Sequence, residues 1–198
     1  MGLYRVVLDY GHGGVKAGAV YGGVQEKSVN LQLGSRIYDA LHEQSTTEET
    51  IKVVLTRDSD EHIPLRVRYQ LINQYHSGHP IHLVVSIHFN AAPSVPSASG
   101  FEVYYMKGSN RGTPAAQTIV ENVKSKDFKI RGRGYKTTAS LGRNLAMIHK
   151  TQPPSVLIEA GFLSNDQDRA DAVDAQWQED MSQAISAGIW NYLRNHTA

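Results

Sequence analysis

The run His82-Leu83-Val84-Val85-Ser86-Ile87-His88 constrains the fold more than any other stretch of this chain. It is too apolar for a strand with one face in water, and a near-continuous run of this kind implies burial on both faces within a mostly parallel sheet. Arg5-Val6-Val7-Leu8-Asp9 and Ser155-Val156-Leu157-Ile158-Glu159 share its character, and Ile51 to Thr56 adds another short strand. Phe101 to Met106 alternates well enough to be a strand at or near a sheet edge.

Helical periods lie between these runs. Val29, Leu33, Ile37, Ala40 and Leu41 recur at helical spacing from Glu26 to Gln44. Pro64 suits the first position of a helix reaching about Tyr75, and Pro114 opens another through Val123. Trp177, Met181, Ile185, Gly188, Ile189 and Tyr192 stripe a carboxy-terminal helix. Such alternation predicts an α/β fold, a mostly parallel but mixed twisted sheet of about five or six strands flanked by helices. With 198 residues, no internal repeat and no linker, residues 1–198 read as one domain.

Composition narrows the chemistry. The chain carries 20 Lys+Arg against 19 Asp+Glu, so no global field draws it to nucleic acid or to membranes. No apolar run approaches the ~20 residues that a membrane span needs. Met1 to Val6 runs straight into a strand, without the basic and then apolar stretch of a secretion signal. Cysteine is absent, which removes disulfides, thiolate metal sites and cysteine nucleophiles. There is no G-x-S-x-G nucleophile elbow either. Lys124, Lys126, Lys129, Arg131, Arg133 and Lys136 form the one basic concentration, on a Gly-rich stretch without apolar period that reads as a mobile, solvated loop from Lys124 to Tyr135.

Four groups remain that bland readings do not absorb together. His12, in Gly11-His12-Gly13-Gly14, His88 and Glu159 sit where apolar strand runs end, and Glu26 sits where an amphipathic helix begins. In open α/β sheets such places converge on one crevice at the carboxyl ends of the strands. Taken singly, His12 reads as a satisfied loop residue and Glu26 as a helix-dipole partner worth roughly 0.3–1 kcal/mol. Glu159 has no such explanation, because a carboxylate ending an apolar strand is costly unless paired or bound to metal. Glycines around His12 permit a second group to approach closely. Two histidines and one carboxylate suffice for a catalytic zinc with an open fourth position, and the second carboxylate is then free to act as a base. The pattern points to a metal-dependent hydrolase. His76, His79 and His82 mimic a second cluster, but Gly78 and Pro80 mark a turn there. His82 and His88 share a strand face about 20 Å apart, too far to hold one ion.

Leu8-Asp9-Tyr10-Gly11-His12-Gly13-Gly14, the helix-opening Glu26, Val85-Ser86-Ile87-His88-Phe89-Asn90-Ala91 and Val156-Leu157-Ile158-Glu159-Ala160-Gly161-Phe162-Leu163-Ser164-Asn165 together resemble the zinc-dependent N-acetylmuramoyl-L-alanine amidases of the amidase-3 type. The motifs fall in the family's order and cover essentially the whole chain. The resemblance implies a bacterial or phage peptidoglycan hydrolase, an endolysin or autolysin catalytic domain without a separate wall-binding module, that cuts the amide between the muramyl lactyl group and the first L-alanine of the stem peptide. By the same resemblance His12, Glu26 and His88 are the zinc ligands, Glu159 is the catalytic glutamate and Asn90 is a substrate-binding position. His149 departs from an arginine frequent in relatives, and the segment between Asn90 and Glu159 looks too short to hold the inhibitory helix of regulated members. Peptidoglycan is the expected partner, reached at lysis by a phage protein or by secretion of an autolysin. The rival readings are another zinc amidohydrolase, a peptidoglycan peptidase or deacetylase, and a non-catalytic wall-binding module.

Overall fold

In the computed structural model, whose described residues are 2–197, strand β1 (Gly2–Tyr10) buries Val6, Val7 and Leu8 because both of its edges and both of its faces are covered. It pairs in parallel with β4 (Glu49–Leu55) on one side and β5 (Leu83–Asn90) on the other. Strand β8 (Ser155–Phe162) continues in parallel beside β5. Strand β6 (Phe101–Tyr105) then runs antiparallel to β8, and β7 (Ile130–Thr137) closes the sheet parallel to β6. The order β4-β1-β5-β8-β6-β7 gives the expected mixed sheet, with six strands. A two-stranded hairpin of β2 (Val20–Tyr21) and β3 (Val24–Gln25) stands apart from it.

Even-numbered residues of β1 face one helical layer and odd-numbered ones the other, as strand pleating requires. Val6, Leu8 and Tyr10 pack with Val29, Leu33 and Ile37 of α1 (Glu26–Glu43), Ile119 and Val123 of α3 (Gly112–Lys124), and Met181, Ile185 and Ile189 of α6 (Ala175–His196). Val7 and Val84 pack on the opposite side with Ile72 of α2 (Leu65–Gly78) and Met147 of the short α4 (Ala146–His149). The chain thus leaves β1 through α1 on one face to reach β4, and returns through α2 on the other face to reach β5. The strand order switches between β1 and β5, and a crevice opens at such a point beyond the strands' carboxyl ends. His12 and His88 lie there. No helix among the described residues is long and apolar enough to cross a membrane.

One expectation fails. The stretch from Lys124 to Tyr135 is not simply a mobile loop, because Ile130–Thr137 form the outer strand β7. Its apolar period is hidden by a bulge: Phe101 pairs with Ile130 but Val103 with Tyr135, and Gly132 and Gly134 take φ of 60° and 84° to absorb the extra residues. A Cβ at Gly134 would stand 2.4 Å from Val120 of α3, so glycine also lets helix and strand meet. The segment between Asn90 and Glu159 is filled by β6, α3, β7, a 3₁₀ turn (Thr138–Leu141) and α4. A further helix, α5 (Asp166–Val173), precedes α6 and is capped by Asn165, which accepts from the amides of Gln167 and Asp168. Gly134→Val should destabilise the protein by about 1–3 kcal/mol through overpacking and positive φ. A urea midpoint within error of the wild type would show that β7 does not depend on this close approach.

Candidate metal centre

The site begins with a strained loop held by two buried arginines. Strand β1 delivers the carbonyls of Tyr10, Gly11 and His12 in succession, and His12 itself has a φ of 63°, a left-handed conformation rare outside glycine. Arg57, which follows β4, donates from Nε to the Tyr10 carbonyl and from Nη2 to those of Gly11 and Lys27, each at 2.9 Å. Arg68 of α2 donates from Nη1 to the Tyr10 carbonyl at 2.6 Å and from Nη2 to that of His12. Its charge is met by Asp9 at 3.0 Å, whose carboxylate also accepts from Thr56 and Ser86. Burial pushes the Asp9 carboxyl up, but Arg68 and the two hydroxyls outweigh it and hold the group below its ordinary range.

This loop is where the sequence's glycines matter. A Cβ at Gly11 would lie 2.2 Å from His88 Cε1, so the second group admitted by the missing side chain is His88. Glu26, the first residue of α1, stands between the two imidazoles, with Oε1 2.8 Å from His88 Nδ1 and Oε2 3.1 Å from His12 Nε2. The chain before α1 wraps this carboxylate, because Ala19 donates its amide to Oε2 and accepts the Glu26 amide, each at 2.9 Å. Burial raises the Glu26 carboxyl, yet the two histidines outweigh burial and hold it well below the usual carboxylate range. Burial likewise depresses His88, and Glu26 more than reverses that. The three ligand atoms lie within 4.8 Å of one another, the one such group of His, Asp and Glu among the described residues. Imidazole and carboxylate donors of this spacing fit a divalent metal ion, and no thiol competes. A cavity of about 380 Å³ opens beside His12 and His88, walled by Ile63, Pro64 and Leu65.

Glu159 lies on β8 directly beside His88 in the β5–β8 pairing, and its Oε2 is enclosed without a hydrogen-bond partner. Burial pushes its carboxyl up to about 8; His88 opposes, while Glu26 and Glu102 add to the rise. Glu102 escaped the sequence reading, because alternation in Phe101–Met106 reads as one face in water. It is instead 1% exposed and pairs across the sheet with Glu159. Its Oε1 accepts from Tyr104 at 2.7 Å and from Asn90 at 3.1 Å, and Oε2 faces Lys136. Asn90 therefore borders the site through Glu102. His149 is engaged locally, Nε2 with Thr138 at 3.2 Å and Nδ1 with the Leu145 carbonyl at 3.0 Å. The turn histidines behave as expected: Nδ1 of His76 accepts from Ile81 and Nδ1 of His82 from Arg5.

An α/β sheet whose switch point gathers two histidines and a carboxylate able to hold a metal ion, beside a second carboxylate with a displaced pKa, has the arrangement of a candidate hydrolytic centre. A family model described as N-acetylmuramoyl-L-alanine amidase matches residues 6–191, and the chain belongs to that family of hydrolases. It is 30% identical to the germination-specific N-acetylmuramoyl-L-alanine amidase of Bacillus subtilis (strain 168), over 95% of this chain and 79% of that protein. It is 31% identical to the endolysin of Bacillus phage SPP1, over 95% of this chain and 65% of that protein. The crystal structure of N-acetylmuramoyl-L-alanine amidase from Clostridium difficile 630 matches with a TM-score of 0.86 at 28% identity, covering 99% of this chain and 100% of that one.

The displaced carboxyl of Glu159 has a consequence for stability. Its folded pKa, about 8, lies above its ordinary 4.5, so between those values the folded metal-free chain keeps a proton that the unfolded chain releases. Stability should therefore fall as pH rises through that window. In Glu159→Gln this part of the decline disappears, and near pH 8 the metal-free variant should be more stable than the wild type by up to about 4 kcal/mol. Urea titrations with chelator at pH 5 and pH 8 measure this. An equal decline in both proteins would mean that Glu159 is ionised at no cost.

Proposed function

We propose that residues 1–198 act as one catalytic unit, a zinc-dependent peptidoglycan amidase that cleaves the bond between N-acetylmuramic acid and the L-alanine of the stem peptide. The observation that carries this reading is the pair of carboxylates driven apart in pKa: Glu26 held ionised between two imidazoles, Glu159 enclosed and protonable. Opposite displacements of this kind separate a ligand from an acid–base group. Family membership and amidase relatives supply the substrate.

In this reading His12, Glu26 and His88 hold the zinc. When bound, zinc supplies a Lewis acid for the scissile carbonyl and lowers the pKa of water toward ~7. Glu159 accepts the proton of the attacking water and returns it to the nitrogen of the departing L-alanine. A carboxylate oxygen that no other donor occupies suits both halves of that transfer. Arg57 and Arg68 keep His12 aimed at Glu26, and Gly11 leaves room for the His88 ring. Asn90 forms part of the substrate wall together with Glu102. The protein acts on the bacterial cell wall, as an endolysin or autolysin does, and needs no activating protein. A peptidoglycan peptidase or deacetylase would use the same centre on another bond, and mass spectrometry of digested wall separates them, because the amidase alone frees the amine of L-alanine. A wall-binding module would have no use for Glu159.

Zinc content and turnover test the assignment separately. The wild type should carry about one zinc per chain, and His88→Ala should lose most of it. Undiminished zinc in that variant would remove His88 from the ligands. Glu159→Gln should keep the metal and lose wall lysis by 10²–10⁴-fold, a typical range for general-base catalysis. Lysis above about half the wild-type rate would reject Glu159 as the base.

A further inference from the structure

Arg131 is the cation of β7 that neither the fold nor the proposed chemistry uses. Its guanidinium lies 4.8 Å over the Phe162 ring of β8 and its Nε is 3.5 Å from Glu102 Oε2. Among the described residues it donates no hydrogen bond within the usual limit, so the fork is fixed on one side by an aromatic face and on another by a carboxylate while its terminal N–H groups stay free. The side chain is 36% exposed. Glu102 cannot satisfy it fully, since Lys136 already occupies the same oxygen and Tyr104 and Asn90 occupy the other. Two cations thus share one buried carboxylate, and one positive charge is left facing the rim of the site.

The bland account is a solvated edge strand, where exposed ion pairs contribute little. Arg131 differs from the exposed Arg194, which also stacks on a ring and pairs with a carboxylate, in that its carboxylate partner is buried. Arg131 is held, and a planar fork fixed in this way is suited to bidentate recognition of a carboxylate. Position supports the same ligand. Glu102 faces Glu159 across an antiparallel pair, which sets their Cβ atoms ~4.5–5.5 Å apart. Arg131 is one contact farther. A peptide residue spans ~3.3–3.6 Å, so a group on the residue after the first L-alanine falls within reach of Arg131 when the scissile carbonyl is beside Glu159.

We propose that Arg131, backed by Lys136, forms a subsite for a free carboxylate on the second residue of the stem peptide and makes the enzyme selective for that acid over its amide. The proposal rests on the amidase reading above. It is tested with two matched muramyl-peptides that differ only in whether the α-carboxyl of the second residue, an isoglutamate, is free or amidated. The wild type should favour the free acid by ~10-fold or more in kcat/KM, chiefly through KM. Arg131→Gln should bring that ratio close to one, and Arg131→Lys should retain part of it. The ratio does not depend on how much enzyme is active, so partial unfolding cannot imitate its loss. A binding readout runs beside it: calorimetry of Glu159→Gln should give tighter binding of the free acid, and the double variant Glu159→Gln/Arg131→Gln should bind both ligands alike. Equal turnover of the two substrates by the wild type, or an unchanged ratio in Arg131→Gln, overturns the subsite while leaving the amidase reading intact. Failure of the wild type to cleave either one overturns that reading, and the subsite with it.

Discussion

The centre depends on two guanidinium groups more than on the triad that it displays. His12 reaches Glu26 because its backbone sits in a left-handed conformation, which costs of order 1–3 kcal/mol. Arg57 and Arg68 bind the three successive carbonyls of residues 10–12. Hydrogen bonds from charged donors contribute ~1.5–3 kcal/mol each, enough to hold one strained residue. The arginines in turn are tolerated in the interior because Arg57 spends its donors on four carbonyls and Arg68 meets Asp9. Removing one member of the Asp9–Arg68 pair would strand a buried charge, which typically costs ~3–5 kcal/mol.

The triad was legible in the sequence and its support was not. His12, Glu26, His88 and Glu159 stood out together, as polar groups where apolar periods end or start, although His12 and Glu26 each fit an ordinary reading alone. Arg57 and Arg68 break similar rules more quietly. Arg68 stands one helical turn before the buried Ile72 of α2, on the face that packs against the sheet, and a cation at such a position is a signal of buried partners. Strand β7 was read as loop for a different reason. Its bulge shifts the pairing by several residues, and period-two alternation cannot survive that.

Two carboxylates separated by little more than an imidazole are driven in opposite directions, and the difference is one of neighbours. Glu26 is buried, at 5% exposure, yet it is the one held ionised, because two histidines and the Ala19 amide converge on it. Glu159 has an enclosed oxygen with no donor at all. Burial raises both carboxyls, and hydrogen bonding decides which of them stays low.

The reversal of β6 completes the site. In a wholly parallel sheet the carboxyl end of the strand beside β8 would reach the crevice, bringing Tyr105 there. Because β6 runs antiparallel, its beginning lies there instead, and Glu102 falls opposite Glu159. Strand β7 follows β6 in parallel, so its own beginning, Ile130 and Arg131, reaches the same rim. One inverted strand thus converts a basic stretch that reads as solvated loop into a charged wall beside the proposed base. Phe162, at the end of β8, then supplies the ring that holds Arg131 in place. The chemistry on the β1–β5 side follows from a parallel switch point, and the electrostatics on the β8–β7 side follow from its interruption.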